Sequence, residues 1–209
     1  MTRKQKAPAR APAPAPTPAS TPAHDPAGVS LLLLGAPLRA RSCGACKACC
    51  TQVPVELRPG TIKKANERCP HLYRHGCNIY ATRPTPCRLW SCRWLFDPYA
   101  AGLKRPDIGG YIVDPWPDQI VADDRPVEVL QIWVDPARRH AHRDPGLRDF
   151  LAGYAERQRM PAMVRYSSQE GFLLVAPCMT ASREWLELDS NMVTADEIAA
   201  KVRAAYKGA

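Results

Sequence analysis

Eight of the nine cysteines in this 209-residue chain fall within fifty residues: Cys43, Cys46, Cys49, Cys50, Cys69, Cys77, Cys87 and Cys92. Thiolates are soft donors suited to zinc and to iron–sulfur clusters, and thiols two residues apart can converge on one centre, with sulfur about 2.3 Å from a zinc ion. The opening run Cys43-Gly44-Ala45-Cys46-Lys47-Ala48-Cys49-Cys50 repeats a thiol every third residue on small-residue backbone that can fold back on itself. The later cysteines can complete the shell, so all eight are candidate metal ligands. Adjacent Cys49 and Cys50 are expected to point apart and not to share a mononuclear centre. That pair suggests two sites, a polynuclear centre, or one ligand beside one structural thiol. The CxxCxxC run is like ferredoxin-type ligation, whereas eight thiols also suit two zinc sites of four thiolates each. Spacing therefore leaves the cofactor open between an iron–sulfur cluster and zinc, in one or two centres.

An even block of cysteines can also be a disulfide framework, but that reading wants a secreted chain and usually a shorter one. The basic start, Arg3, Lys4 and Lys6, runs into Ala-Pro repeats rather than an apolar signal core. The run Leu31 to Leu34 is far short of the roughly 20 apolar residues that span a bilayer. A cytoplasmic protein with reduced thiols and no membrane partner is expected.

The net charge of +9 raises nucleic acid as a partner. The basic excess lies in the cysteine block and the tail before it, while residues 97–209 hold fourteen Lys and Arg against seventeen Asp and Glu. Four thiolates on a zinc ion leave a negative site, and nearby cations stabilise it, so charge compensation is favoured over a polyanion-binding face. Arg83 and Arg88 are the candidates for capping sulfur charge at the cofactor, with a plain salt bridge to Glu56 or Glu67 as the alternative. The expected partners are a metal ion or cluster and a possible protein, not nucleic acid.

The elements that must hold these thiols divide into three. Residues 1–28 are Ala/Pro-rich and expected to be a disordered tail. Residues 29–96 form the cysteine-cluster module, and residues 97–209 an α+β companion domain. Within the module, Val29 to Leu38 is a short apolar patch, Val53-Pro54-Val55 reads as extended, Arg58-Pro59-Gly60 as a turn, and Thr61 to Arg68 as a short helix capped by Thr61. Leu72, Ile79, Tyr80, Leu89, Trp90, Trp94, Leu95 and Phe96 are expected to form an apolar jacket. Beyond Phe96, strand-like runs occur at Tyr111 to Asp114, Gln119 to Val121, Val127 to Val134, Ala162 to Tyr166 and Gly171 to Ala176. In Val127 to Val134 one face is strongly apolar and the other mixed. Pro145 to Arg159 has helical periodicity, and Thr194-Ala195-Asp196-Glu197 is a capping box for a last helix. The expected fold class is α+β: an irregular cysteine-rich module packed on a small antiparallel sheet with two or more helices.

The module's pattern, CxxCxxCC, then Cys-Pro, then Cys77-Asn78-Ile79-Tyr80 and Arg83-Pro84-Thr85-Pro86-Cys87-Arg88, then Cys92, resembles the bacterial cysteine-cluster family of zinc- or iron-chelating proteins, the YkgJ family. The resemblance covers about fifty residues and implies metal binding through those cysteines. Some relatives carry a flagellin lysine N-methylase name, and the resemblance supplies that enzyme reading as an alternative. No methyl-donor site accompanies it here, because Gly109-Gly110 precedes a strand and makes no nucleotide loop. No Ser/His/Asp order or carboxylate pair stands out, so catalytic residues are not assigned. His71 and His75 read as surface or packing histidines, His140 and His142 as solvated, and Cys178 as a buried hydrophobe.

Overall fold

The computed structural model describes residues 41–74, 76–122 and 125–189. The Ala/Pro-rich tail, the apolar run 29–38, His75 and the helix expected after Thr194 lie outside the described residues.

The thiol-bearing segment is built from very short elements. Helix α1 (Cys49–Gln52) leads into strands β1 (Val55–Arg58) and β2 (Thr61–Lys63), then into β3 (Leu72–Tyr73) and β4 (Gly76–Cys77). Helix α2 (Thr85–Leu89) and helix α3 (Arg93–Phe96) complete it. The helix expected over Thr61–Arg68 does not form. Gly60 takes φ +75 and donates its N–H to Glu56 Oε1 at 2.9 Å, so the chain reverses and Thr61–Lys63 pairs antiparallel with β1. A tight reversal followed by β-branched Thr61 and Ile62 favours a hairpin over a helix start.

After α4 (Pro106–Gly109) come β5 (Tyr111–Ala122), β6 (Arg125–Val134), α5 (Pro145–Gln158), β7 (Ala162–Arg165), β8 (Gly171–Val175) and β9 (Leu186–Asp189). The fold is α+β. The five strands lie in the order β5-β6-β7-β8-β9. Three of the pairings are antiparallel and β6–β7 is parallel. A parallel pair needs a crossover, and α5 supplies it. Asp144 caps this helix by accepting from Leu147 N–H at 3.3 Å, and Arg159 ends it in the left-handed conformation.

Alternation along β5 and β6 sends side chains into different cores. Tyr111, Val113, Ile132 and Val134 pack with Leu147, Phe150, Leu151 and Tyr154 of α5. Each fully buried aliphatic or aromatic side chain there contributes roughly 1.5–3 kcal/mol. The cross-strand pair Ile112 and Trp133 joins Ala48, Val53, Ala65 and Cys92 of the thiol segment. Val129 instead packs with Met163, Leu173, Val175 and Leu188. The mixed face of β6 is thus also covered, in part by the cysteine segment.

The apolar jacket is only partial. Leu72 is buried, and Trp90, Trp94 and Leu95 pack against the Ile112–Trp133 core. Tyr80, Leu89 and Phe96 are exposed, at 64%, 71% and 38%. One-turn helices offer too little backbone to fold every apolar side chain inward, and Tyr80 instead lies 3.8 Å beneath the Arg83 guanidinium.

Arg93 ties α3 to the sheet. Its Nε donates to Asp114 O at 3.0 Å, Nη1 to Asp97 at 3.0 Å and Nη2 to Pro115 O at 3.0 Å, with the Tyr154 ring 4.9 Å from the guanidinium.

Candidate metal centre

None of the described cysteines is in a disulfide. Cys43 is exposed, Cys69 and Cys92 are buried, and Cys46, Cys49, Cys50, Cys77 and Cys87 are partly buried. Local backbone bonds fix their carriers. Cys46 N–H donates to Cys43 O at 2.8 Å, which closes the first CxxC turn. Cys69 N–H donates to Cys50 O at 2.9 Å, and Leu72 N–H to Cys69 O at 3.0 Å. Leu72 is in turn the cross-strand partner of Cys77. Segments far apart in sequence therefore meet through main-chain hydrogen bonds before any sulfur ligand is considered.

The sulfurs influence one another in two neighbourhoods. Burial pushes the Cys92 thiol up to about 12, and Cys43 and Cys46 add to the rise. Cys46 is raised by burial, with Asp107 and Cys43 adding to it against backbone N–H donors. Cys87 is raised by burial and then by Cys69, Cys50 and Cys77, while Arg83 opposes. Cys49 and Cys50 stand between the groups, their thiols hydrogen-bonded. That bond is the first cause holding Cys50 down to about 6, where Lys63, Arg83 and Lys47 also favour the thiolate against burial. It is equally the first cause raising Cys49, followed by burial, Cys50, Cys46 and Cys92. On a single helical turn, successive residues differ by about 100°, and the two sulfurs stay in reach.

The cations around Cys50 are held differently. Lys63 is 4% exposed and gives its three protons to Thr51 O at 3.1 Å, Lys64 O at 3.0 Å and Glu67 O at 3.0 Å. Burial lowers its pKa, and Cys69 and Cys50 are the leading charges that oppose the fall. Lys47 donates to Arg74 O. Arg83 donates from Nε to Tyr80 O at 3.1 Å and sits within electrostatic reach of Cys50 and Cys87. Arg88 is exposed and donates to Thr85 Oγ1 at 3.2 Å. Glu56 and Glu67, the alternative partners for those arginines, accept from the backbone N–H groups of Gly60 and Lys64.

Two contributors were not legible from spacing. Lys63 lay in a segment read as helix, where an alternating charge carries no signal. Asp107, on α4, approaches Cys46 from more than sixty residues away while its carboxylate is held by Arg105 through bonds of 2.6 and 2.9 Å. His71 is partly buried, and its carbonyl accepts from Asn78 N–H at 3.0 Å. His142 is buried rather than solvated, and Cys178 is exposed rather than buried. The three-residue 3-10 turn carrying Cys178 leaves its sulfur outside the adjoining core.

Among the described residues no three His, Cys, Asp or Glu side chains are placed closely enough to hold a metal ion. The donor set is chemically suited to one: free thiols, most of them partly withdrawn from solvent. Among the described residues no helix is long and apolar enough to cross a membrane. Comparison of the chain with family models, with curated proteins and with solved structures gave no match.

Proposed function

We propose that the chain is a cysteine-cluster metal-binding protein that holds an iron–sulfur cluster or zinc through the thiolates of residues 43–92. One observation carries this reading: eight unpaired thiols, brought from several short segments, gather in two neighbourhoods joined at Cys49 and Cys50, with Lys47, Lys63 and Arg83 acting on Cys50. Clustered thiolates repel one another and attract a cation, and a bound metal replaces their protons and turns that repulsion into attraction. Metal binding would then draw the sulfurs from neighbourhood into coordination. The resemblance to the cysteine-cluster family supports the same reading, and a reducing, cytoplasmic setting, in which thiols stay free, is part of the proposal.

The sheet, packed beneath Cys92 through Ile112 and Trp133, serves as the scaffold in this reading. The test is anaerobic purification with metal analysis and a visible spectrum. Broad absorbance near 400 nm, typical of iron–sulfur centres, separates them from colourless zinc. Replacing Cys46 by Ser is expected to lower both metal content and melting temperature, since metal stabilises only the folded form. A wild-type protein that carries no metal under those conditions sinks the proposal.

A further inference from the structure

The eight thiols are not equivalent. Cys92 is buried in the core formed with Ile112 and Trp133, and Cys46 and Cys49 pack against that same core. Cys43 joins them through the turn that binds Cys46 N–H to its carbonyl. Cys50, Cys69, Cys77 and Cys87 lie outside this core. The Cys50–Cys69 main-chain bond, the Cys69–Leu72 turn and the Leu72–Cys77 pair link the first three, and Cys87 has Cys69, Cys50 and Cys77 as its thiol neighbours.

Their charged surroundings differ too. The first group faces the Asp107–Arg105 ion pair at Cys46. The second faces cations, among them Lys63, an ammonium that the fold keeps buried and satisfies with three carbonyls. A cation is costly to bury and calls for a counter-ion; the Glu67 carboxylate acts on it, behind Cys69 and Cys50. A tetrathiolate zinc or iron–sulfur centre carries net negative charge and would supply one.

Resting on the metal-binding reading, we infer that the thiols form two four-sulfur centres, Cys43/Cys46/Cys49/Cys92 and Cys50/Cys69/Cys77/Cys87, which touch at Cys49–Cys50, and that Lys63 is the buried counter-cation of the second. The first centre staples the segment to the sheet.

The experiment compares wild type, Cys92→Ser, Cys87→Ser, Lys63→Met and Lys63→Arg, each purified anaerobically as the full chain, by metal analysis and by the rate of metal release to a chelator. The expected result is that Cys92→Ser and Cys87→Ser each lose part of the metal, the two losses together accounting for the wild-type content. Lys63→Met should speed release at least severalfold from the centre that Cys87→Ser removes and leave the other unchanged, with Lys63→Arg restoring the slower rate. Circular dichroism checks that each variant is folded, and where Cys92→Ser unfolds, Cys43→Ser replaces it, its thiol being exposed. Loss of all metal from either folded cysteine variant would mean one shared polynuclear cluster and overturn the division. Release from both centres, or from neither, in Lys63→Met overturns the role of Lys63. A metal-free wild type would instead strike at the binding reading itself.

Discussion

The Trp133 indole of β6 donates to Asp114 Oδ2 of β5 at 3.1 Å, within the sheet. The other oxygen of that carboxylate accepts from Trp116 N–H at 3.2 Å and faces Trp90 Nε1 at 3.4 Å. Burial pushes the Asp114 pKa up, against those donors and Arg93. One carboxylate therefore gathers an indole from the sheet and another from the cysteine segment.

Asp114→Ala should leave both indole N–H groups without their acceptor, each loss costing about 1–3 kcal/mol. Urea unfolding should show a fall in midpoint, and Trp fluorescence should shift to the red as Trp90 and Trp133 meet water. An unchanged midpoint would show that the carboxylate's desolvation cost cancels what its hydrogen bonds contribute.

His142 makes stability depend on pH. It is 3% exposed, its Nδ1 lies 2.7 Å from Arg139 O, and Glu187 stands 3.4 Å from Nε2. Burial lowers its pKa from 6.5, with Arg148 and Arg143 acting in the same direction and the Arg139 carbonyl and Glu187 opposing. The folded state holds this proton less tightly than the unfolded chain. Its contribution is thus intact above 6.5 and is lost as pH falls from there through the lowered folded value. The wild-type urea midpoint should drop across that window, and His142→Gln should flatten that part of the curve. Parallel curves for the two proteins would refute the assignment.

Gly146 sits where α5 meets the 3-10 turn at Pro98–Gly102, and a Cβ there would stand 2.2 Å from Gly102 O. Backbone cannot yield as a flexible side chain can. Gly146→Ala should therefore destabilise by about 1–3 kcal/mol, despite alanine's better helix propensity. Thermal melting reads the effect, and a stabilised variant would show that the turn moves freely.

Cys178 is exposed and no thiol is among the groups acting on it. Cys178→Ser should leave metal content within error of wild type and change stability by less than about 0.5 kcal/mol. Loss of metal in this variant would place a ninth sulfur in the metal chemistry.

Much of the framework was visible in local pattern. The alternation in Val127 to Val134 marks β6, and the spacing of Leu147, Phe150, Leu151 and Tyr154 marks α5, because both signals arise from neighbours along one element. The clustering of cysteines likewise needs no fold to be seen. What stayed hidden depends on distant partners. Nothing in Thr61–Lys63 by itself announces pairing with Val55–Arg58, and nothing near Lys63 shows that its ammonium is buried beside sulfur. The parallel pairing of β6 with β7 follows from where α5 crosses, and Asp107 reaches Cys46 only because the chain returns. Hydrophobic patterning reports which face is covered, not by what.

Ile112 and Val113 are consecutive, yet one supports the thiol segment and the other the core under α5. A single residue inserted or deleted between Gly110 and Ile112 would exchange their sides, since side chains alternate every residue along a strand. One frameshift of the pleat here would strip both the thiol segment and the helix-backed core of their supporting side chains at once.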